Sequence, residues 1–83
     1  MRALEGIKVG ITGVLKTMTR PELTLRLYQA GGLRVQTVQD MDYLVVGEPS
    51  SRHAVASRLR RARMHNVTLI TEEEILELIG GES

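Results

Sequence analysis

A small α/β domain with an at least partly parallel sheet is the fold class that these 83 residues predict. Short apolar segments with strand period alternate with helix starts in the order β-α-β-β-α-β-α. A strand-helix-strand crossover is how parallel neighbours are joined, so two such crossovers imply helices lying on the sheet's faces. The length allows one hydrophobic core, because two would leave each half too small to bury enough apolar surface.

Residues 7–11, Ile-Lys-Val-Gly-Ile, alternate apolar and non-apolar positions and end in Thr12-Gly13. After a loop, Thr19-Arg20-Pro21-Glu22 places a capping threonine three residues before a glutamate, with proline in the first turn. Leu23, Leu27 and Ala30 then share one helix face, and Gly31-Gly32 supplies a left-handed stop. Residues 33–38 are strand-like, with Val35 and Thr37 β-branched, and Gln39-Asp40-Met41-Asp42 reads as a polar break. Tyr43-Leu44-Val45-Val46 is a continuous apolar run suited to a strand buried on both faces. Pro49-Ser50-Ser51 marks the start of a second helix, striped by Val55, Leu59 and Ala62 and capped by Asn66. Val67-Thr68-Leu69-Ile70 is the last strand, and Thr71-Glu72-Glu73-Glu74 opens a last helix with a capping box, carried on by Ile75, Leu76, Leu78 and Ile79.

Composition removes several classes of function. With no cysteine there is no disulfide framework, thiolate metal site or cysteine nucleophile, and a reducing compartment is expected. No apolar run approaches the roughly 18 to 20 residues of a membrane helix, and no signal peptide is visible, so a cytoplasmic protein is expected. Tyr28 and Tyr43 are the only aromatics, too few for a base-stacking platform. The net charge of +1 conceals an asymmetry: residues 50–66 hold five arginines, two histidines and no acid, whereas residues 71–83 hold five glutamates and no base. The basic segment is either a solvated face paired with its acidic neighbour or a phosphate-binding face.

Catalysis is not expected. His53 and His65 stand beside no candidate nucleophile, the glutamates crowd a helix start where capping accounts for them, and no metal-ligand spacing is present. Neither the dinucleotide nor the P-loop glycine pattern occurs, so no cofactor is expected. Thr12-Gly13 is either an ordinary turn or an anion-binding one, since glycine lets backbone N–H groups face outward and threonine adds a hydroxyl. Lys16 and Arg20 follow close by as cations. On the second helix, steps of about 100° per residue set Arg58 and Arg61 on one flank of the apolar stripe and Arg52 and Arg63 on the other, while Arg60 and His53 point away. Nine arginines against two lysines favour the planar group that binds phosphate bidentately.

Taken together, Leu4-Glu5-Gly6-Ile7, Ile11-Thr12-Gly13-Val14-Leu15, Ala30-Gly31-Gly32, Asp42-Tyr43-Leu44-Val45-Val46-Gly47 and Val67-Thr68-Leu69-Ile70-Thr71-Glu72-Glu73-Glu74 resemble a BRCT domain over nearly the whole chain. The subtype it resembles is that of bacterial NAD-dependent DNA ligases and the large subunit of the clamp loader, replication factor C. The resemblance implies a four-stranded parallel sheet flanked by helices, one domain over residues 1–83, and use in DNA replication and repair. It also implies a phosphate pocket on Thr12 and Gly13. In the clamp-loader subtype an arginine eight residues after the threonine contributes, and Arg20 stands there. The family's pocket lysine maps to Arg58 counting back from Val67, or to Arg52 counting forward from Gly47. The tryptophan that many members carry in the last helix is absent and Ile75 lies near its place, which argues against a tandem phosphopeptide reader.

The function expected is thus a non-catalytic module that binds 5′-phosphorylated duplex DNA ends through Thr12, Gly13, Arg20 and Arg58, with Arg60, Arg61 and Arg63 along the adjoining backbone, Lys16 as a further cation near the turn and Arg52 as the alternative to Arg58. Base readout is not expected, because nothing in the chain is suited to base edges. The alternative is a protein-interaction module that docks a phosphopeptide or pairs with another BRCT domain. A third possibility is an appendage whose arginines pair with the glutamates of the last helix.

Overall fold

The structure, a computed structural model, describes residues 3–48 and 52–80, and of residues 52–56 only the backbone. Strands β1 (Lys8–Thr12), β2 (Leu33–Arg34), β3 (Tyr43–Val46) and β4 (Thr68–Thr71) form one four-stranded sheet in the order β2-β1-β3-β4. Every pairing is parallel. Helices α1 (Arg20–Gln29), α2 (Arg52–Met64) and α3 (Glu72–Gly80) supply the crossovers and the last layer.

Alternation along the strands sorts the helices. Val9, Ile11, Val45 and Ile70 face Leu23 and Leu27 of α1 and Ile75 of α3 in one core cluster. Leu44, with Val46 and Leu69 beside it, faces Ala62 and Leu59 of α2 in the other. Thus α1 and α3 share one face of the sheet and α2 covers the opposite one, the two-sided arrangement a parallel sheet requires.

Local chemistry sets the boundaries. The Thr19 hydroxyl accepts the Glu22 N–H at the start of α1, and Gly31 ends that helix with φ 89°. Asn66 takes the left-handed conformation, φ 58°, after α2. At α3 the capping box is reciprocal: Thr71 N–H donates to Glu74 Oε1 at 3.0 Å, and Glu74 N–H donates to Thr71 Oγ1 at 3.1 Å.

Three sequence expectations need correction. The extended run foreseen over residues 33–38 is paired as a strand only over Leu33–Arg34, and Val38–Asp40 forms a 3-10 helix. That turn buries Val38 and Met41 against Leu44 beneath α2, so the second core, more than β-branching, decides the conformation. Met41 therefore belongs to the core rather than to a polar break, and its side chain covers Gly10. On α3, Ile75 is buried but Leu78, expected on the apolar face, is exposed. The expected helix start at Pro49-Ser50-Ser51 lies outside the described residues, as does the side chain of Val55.

Candidate functional site

The carboxyl ends of parallel strands are where open α/β sheets present loops to ligands, and four of the sequence-predicted residues, Thr12, Gly13, Arg20 and Arg58, meet there. Thr12 is the last residue of β1, only 3% exposed, with its carbonyl accepting the Gly47 N–H. Gly13 follows at φ 83°, and a Cβ there would stand 2.7 Å from the Glu48 carbonyl oxygen, so glycine is required on both conformational and steric grounds. Its own N–H has no hydrogen-bond partner among the described residues.

Two arginines from opposite faces of the sheet reach this turn. Arg20 Nη2, from the first turn of α1, donates to the Gly13 carbonyl at 2.8 Å. Arg58 Nη1, from the middle of α2, donates to the Ile11 carbonyl at 3.2 Å. Strand pairing explains why that carbonyl is open to Arg58. The Val9 carbonyl is taken by Val35 N–H on the β2 side, and the Thr12 carbonyl by Gly47 on the β3 side. Ile11 therefore points its oxygen toward β2, which has already ended at Arg34. Arg20 and Arg58 thus bracket Thr12 through the carbonyls on either side of it.

Of the two positions left open by counting, Arg58 has a described side chain, which meets the Ile11 carbonyl, and the side chain of Arg52 lies outside the described residues. Arg60, Arg61 and Arg63 are exposed along α2. No ion pair joins α2 to α3 among the described residues, and the two helices lie on opposite faces of the sheet.

Lys16 is part of a different arrangement. Its ammonium pairs with Glu48 at 3.0 Å, both side chains being well exposed at 68% and 63%. The hydrogen bond that Lys16 donates to Glu48 and the charge of that carboxylate, with smaller contributions from Glu73 and Glu72, hold the Lys16 ammonium above the ordinary lysine value. Two open hollows meet at this residue. One, of about 480 Å³, lies over the β1–α1 loop and is lined in part by Gly13, Lys16 and Arg20. The other, of about 290 Å³, lies over the ends of β3 and β4 and is lined in part by Val46, Glu48, Thr71 and Glu73.

Glu72 was foreseen only as a charge at a helix start. It is largely buried, 8% exposed, and its carboxylate accepts Lys16 N–H at 2.8 Å, Thr17 N–H at 3.0 Å and the Thr17 hydroxyl. Burial alone would push this carboxyl up; the hydrogen bonds from Thr17 and the Lys16 N–H, with the Lys16 charge, outweigh it and leave the pKa below the ordinary glutamate value. The available signal was the run of three glutamates, of which the capping box needs only the third, Glu74.

The arrangement is a cationic, glycine-containing turn at the ends of parallel strands. Among the described residues no group of His, Asp or Glu is placed to hold a metal ion. No described helix is long and apolar enough to cross a membrane.

Residues 1–79 match the BRCA1 C Terminus (BRCT) domain, and the chain belongs to that family, whose fold is a non-catalytic module. The similar proteins include bacterial DNA ligases. That of Thermotoga maritima is 38% identical over 78 residues, covering 92% of this chain and 10% of the ligase. That of Gemmatimonas aurantiaca is 36% identical over 81 residues, covering 96% and 11% respectively, and that of Sulfurihydrogenibium sp. is 38% identical over 82 residues, with the same two shares. The chain spans about a tenth of the length of these relatives. Four-stranded parallel topology and ligase-type resemblance therefore agree with the sequence reading, and a place among DNA repair and replication modules is consistent with both.

Proposed function

We propose that residues 1–83 are one DNA-binding module of replication or repair, holding a 5′-phosphorylated duplex end at the Thr12–Gly13 turn. The observation that supports this most directly is the approach of Arg20 and Arg58 to the carbonyls flanking Thr12. A guanidinium has five N–H donors, so each arginine retains donors for a phosphate after bonding its carbonyl. The free Gly13 N–H adds a backbone donor, and the Thr12 hydroxyl forms the floor. Arg60, Arg61 and Arg63, exposed on α2, contact the adjoining backbone phosphates. Lys16, already partnered by Glu48, is the weakest member of the set.

Binding of matched duplexes with and without a recessed 5′ phosphate, followed by fluorescence anisotropy over a salt series, tests this reading. A phosphate-dependent gain that survives moderate salt supports it. Equal, steeply salt-sensitive binding of the two duplexes rejects the pocket and leaves only general attraction by α2. Thr12→Ala combined with Arg20→Ala removes the gain while circular dichroism reports an intact fold.

A protein partner is the second reading, favoured by one observation. Leu25 and Tyr28 on α1 and Leu33 on the sheet-edge strand β2 are all exposed. Binding to neither duplex would transfer the weight to this reading.

A further inference from the structure

We infer that Glu48 and Glu73 form an acidic rim that makes the site read an end rather than a continuous duplex, by directing bound DNA along α2 and away from α3. The inference rests on the phosphate-site reading above.

The two charge signs stand at different places around the Thr12–Gly13 turn, the acids at the ends of β3 and β4 where α3 begins and the arginines along α2 on the other face of the sheet. With β1 second in the order β2-β1-β3-β4, the ends of β3 and β4 lie to one side of the turn. On that side Glu48 follows β3, and Glu72 and Glu73 follow β4, around a common hollow. Lys16 supplies a cation there, but it is held by Glu48, so the rim keeps a net negative charge even before Glu74 and Glu77 of α3 are counted. On the opposite face of the sheet, α2 presents Arg60, Arg61 and Arg63 to solvent and no acid along its length.

Consider a phosphate seated at the turn. If it is internal to a continuous duplex, DNA extends from it in two directions, and a helix lying along α2 sends its other arm over the rim. Phosphates there meet like charge, whose repulsion is screened over a Debye length of about 8 Å, and like-charge juxtaposition is a penalty that selects against the wrong partner. A terminal phosphate has one arm only, and that arm takes the arginine side. Glu48 and Glu73 thus act by exclusion, as specificity residues.

The test compares a linear duplex carrying recessed 5′ phosphates with a hairpin-capped dumbbell of equal length and sequence. The Glu48→Gln/Glu73→Gln variant is measured beside a Glu5→Gln/Asp40→Asn control that changes net charge equally at exposed positions outside α3. Both should remain folded by circular dichroism. The rim variant is expected to bind the dumbbell about 2- to 10-fold tighter than the control does, scaling from the usual worth of exposed charges, and to lose end preference by the same factor. Equal behaviour of rim variant and control overturns the rim while leaving the phosphate site standing. A parent protein with no gain from the 5′ phosphate overturns the phosphate site and the rim together.

Direction is read separately. The chain has no cysteine, so Met64→Cys at the end of α2 and Leu78→Cys on α3, both at exposed positions, accept single dyes. A dye on the far end of a duplex of about 10 base pairs, roughly one turn, should transfer energy more efficiently to position 64. Equal transfer, or greater transfer to position 78, overturns the path.

Discussion

Glu72 and Thr17 are joined twice, because one carboxylate oxygen accepts both the Thr17 N–H and the Thr17 hydroxyl. With the companion bond from Lys16 N–H to the other oxygen, the first residue of α3 fastens the loop that leaves β1. The loop that follows the Thr12–Gly13 turn is therefore positioned by a helix some fifty-five residues away in the chain.

Removing this carboxylate should cost stability before it costs binding chemistry. Glu72→Ala leaves two backbone N–H groups of the loop without their acceptor and is expected to destabilise the domain by about 1–3 kcal/mol, read as a lower midpoint in urea unfolding. Glu72→Gln keeps an acceptor oxygen and should lose less. Identical midpoints for parent and Glu72→Ala would contradict the fastening role.

Acid should weaken the same fastening. The native Glu72 carboxyl sits below the ordinary glutamate value, so the unfolded chain binds its proton first as pH falls. The contribution of Glu72 to stability is then complete above the ordinary value, declines between that value and the depressed native one, and is gone below the native one. Unfolding free energy measured from pH 7 downward should fall less steeply for Glu72→Gln than for the parent across that interval.

Gly47, just after β3, and Gly10, in the middle of β1, predict a graded series. A Cβ at Gly47 would stand 2.5 Å from the Val14 carbonyl oxygen, a backbone atom that cannot turn aside. At Gly10 the obstacle is the far end of the flexible Met41 side chain. Gly47→Ala should therefore cost about 2 kcal/mol or more, and Gly10→Ala less, because only the latter can be relieved by a rotamer change. Thermal unfolding of the two variants gives the ranking.

On the proposed function, the α2 arginines divide into two kinds. Joint replacement of Arg60, Arg61 and Arg63 by alanine should weaken binding to phosphorylated and unphosphorylated duplexes alike. It should also lower the slope of log affinity against log salt by about 0.9 for each phosphate that is no longer neutralised. Arg58→Ala should instead reduce mainly the preference for a phosphorylated end. Anisotropy titrations at several salt concentrations separate the two patterns.

What the sequence made legible was whatever is decided within a few residues. The Thr19 cap, the Thr71–Glu74 capping box, Gly31 and Asn66 are local devices, and each was readable before any fold was known. The spacing from Thr12 to Arg20 was equally readable, and the two are brought to one turn by a short loop. Residues whose conformation answers to distant partners were not legible. Val38 and Met41 leave the extended path because Leu44 and α2 offer them burial, and Lys16 turns to Glu48 across a loop pair that periodicity does not reveal. Counting along the chain left Arg52 and Arg58 open because it does not tell where an edge strand ends, and it is the end of β2 that bares the Ile11 carbonyl.

The loops that leave β1 and β3 are clasped by an antiparallel bridge between Val14 and Glu48, whose backbone groups exchange hydrogen bonds. Position 48 thus does two separable jobs: its main chain closes the clasp, while its side chain only reaches out to Lys16. The charge carried there is a dial that can be turned without disturbing the scaffold, and within this fold position 48 is where a change of ligand preference could arise at almost no cost in folding.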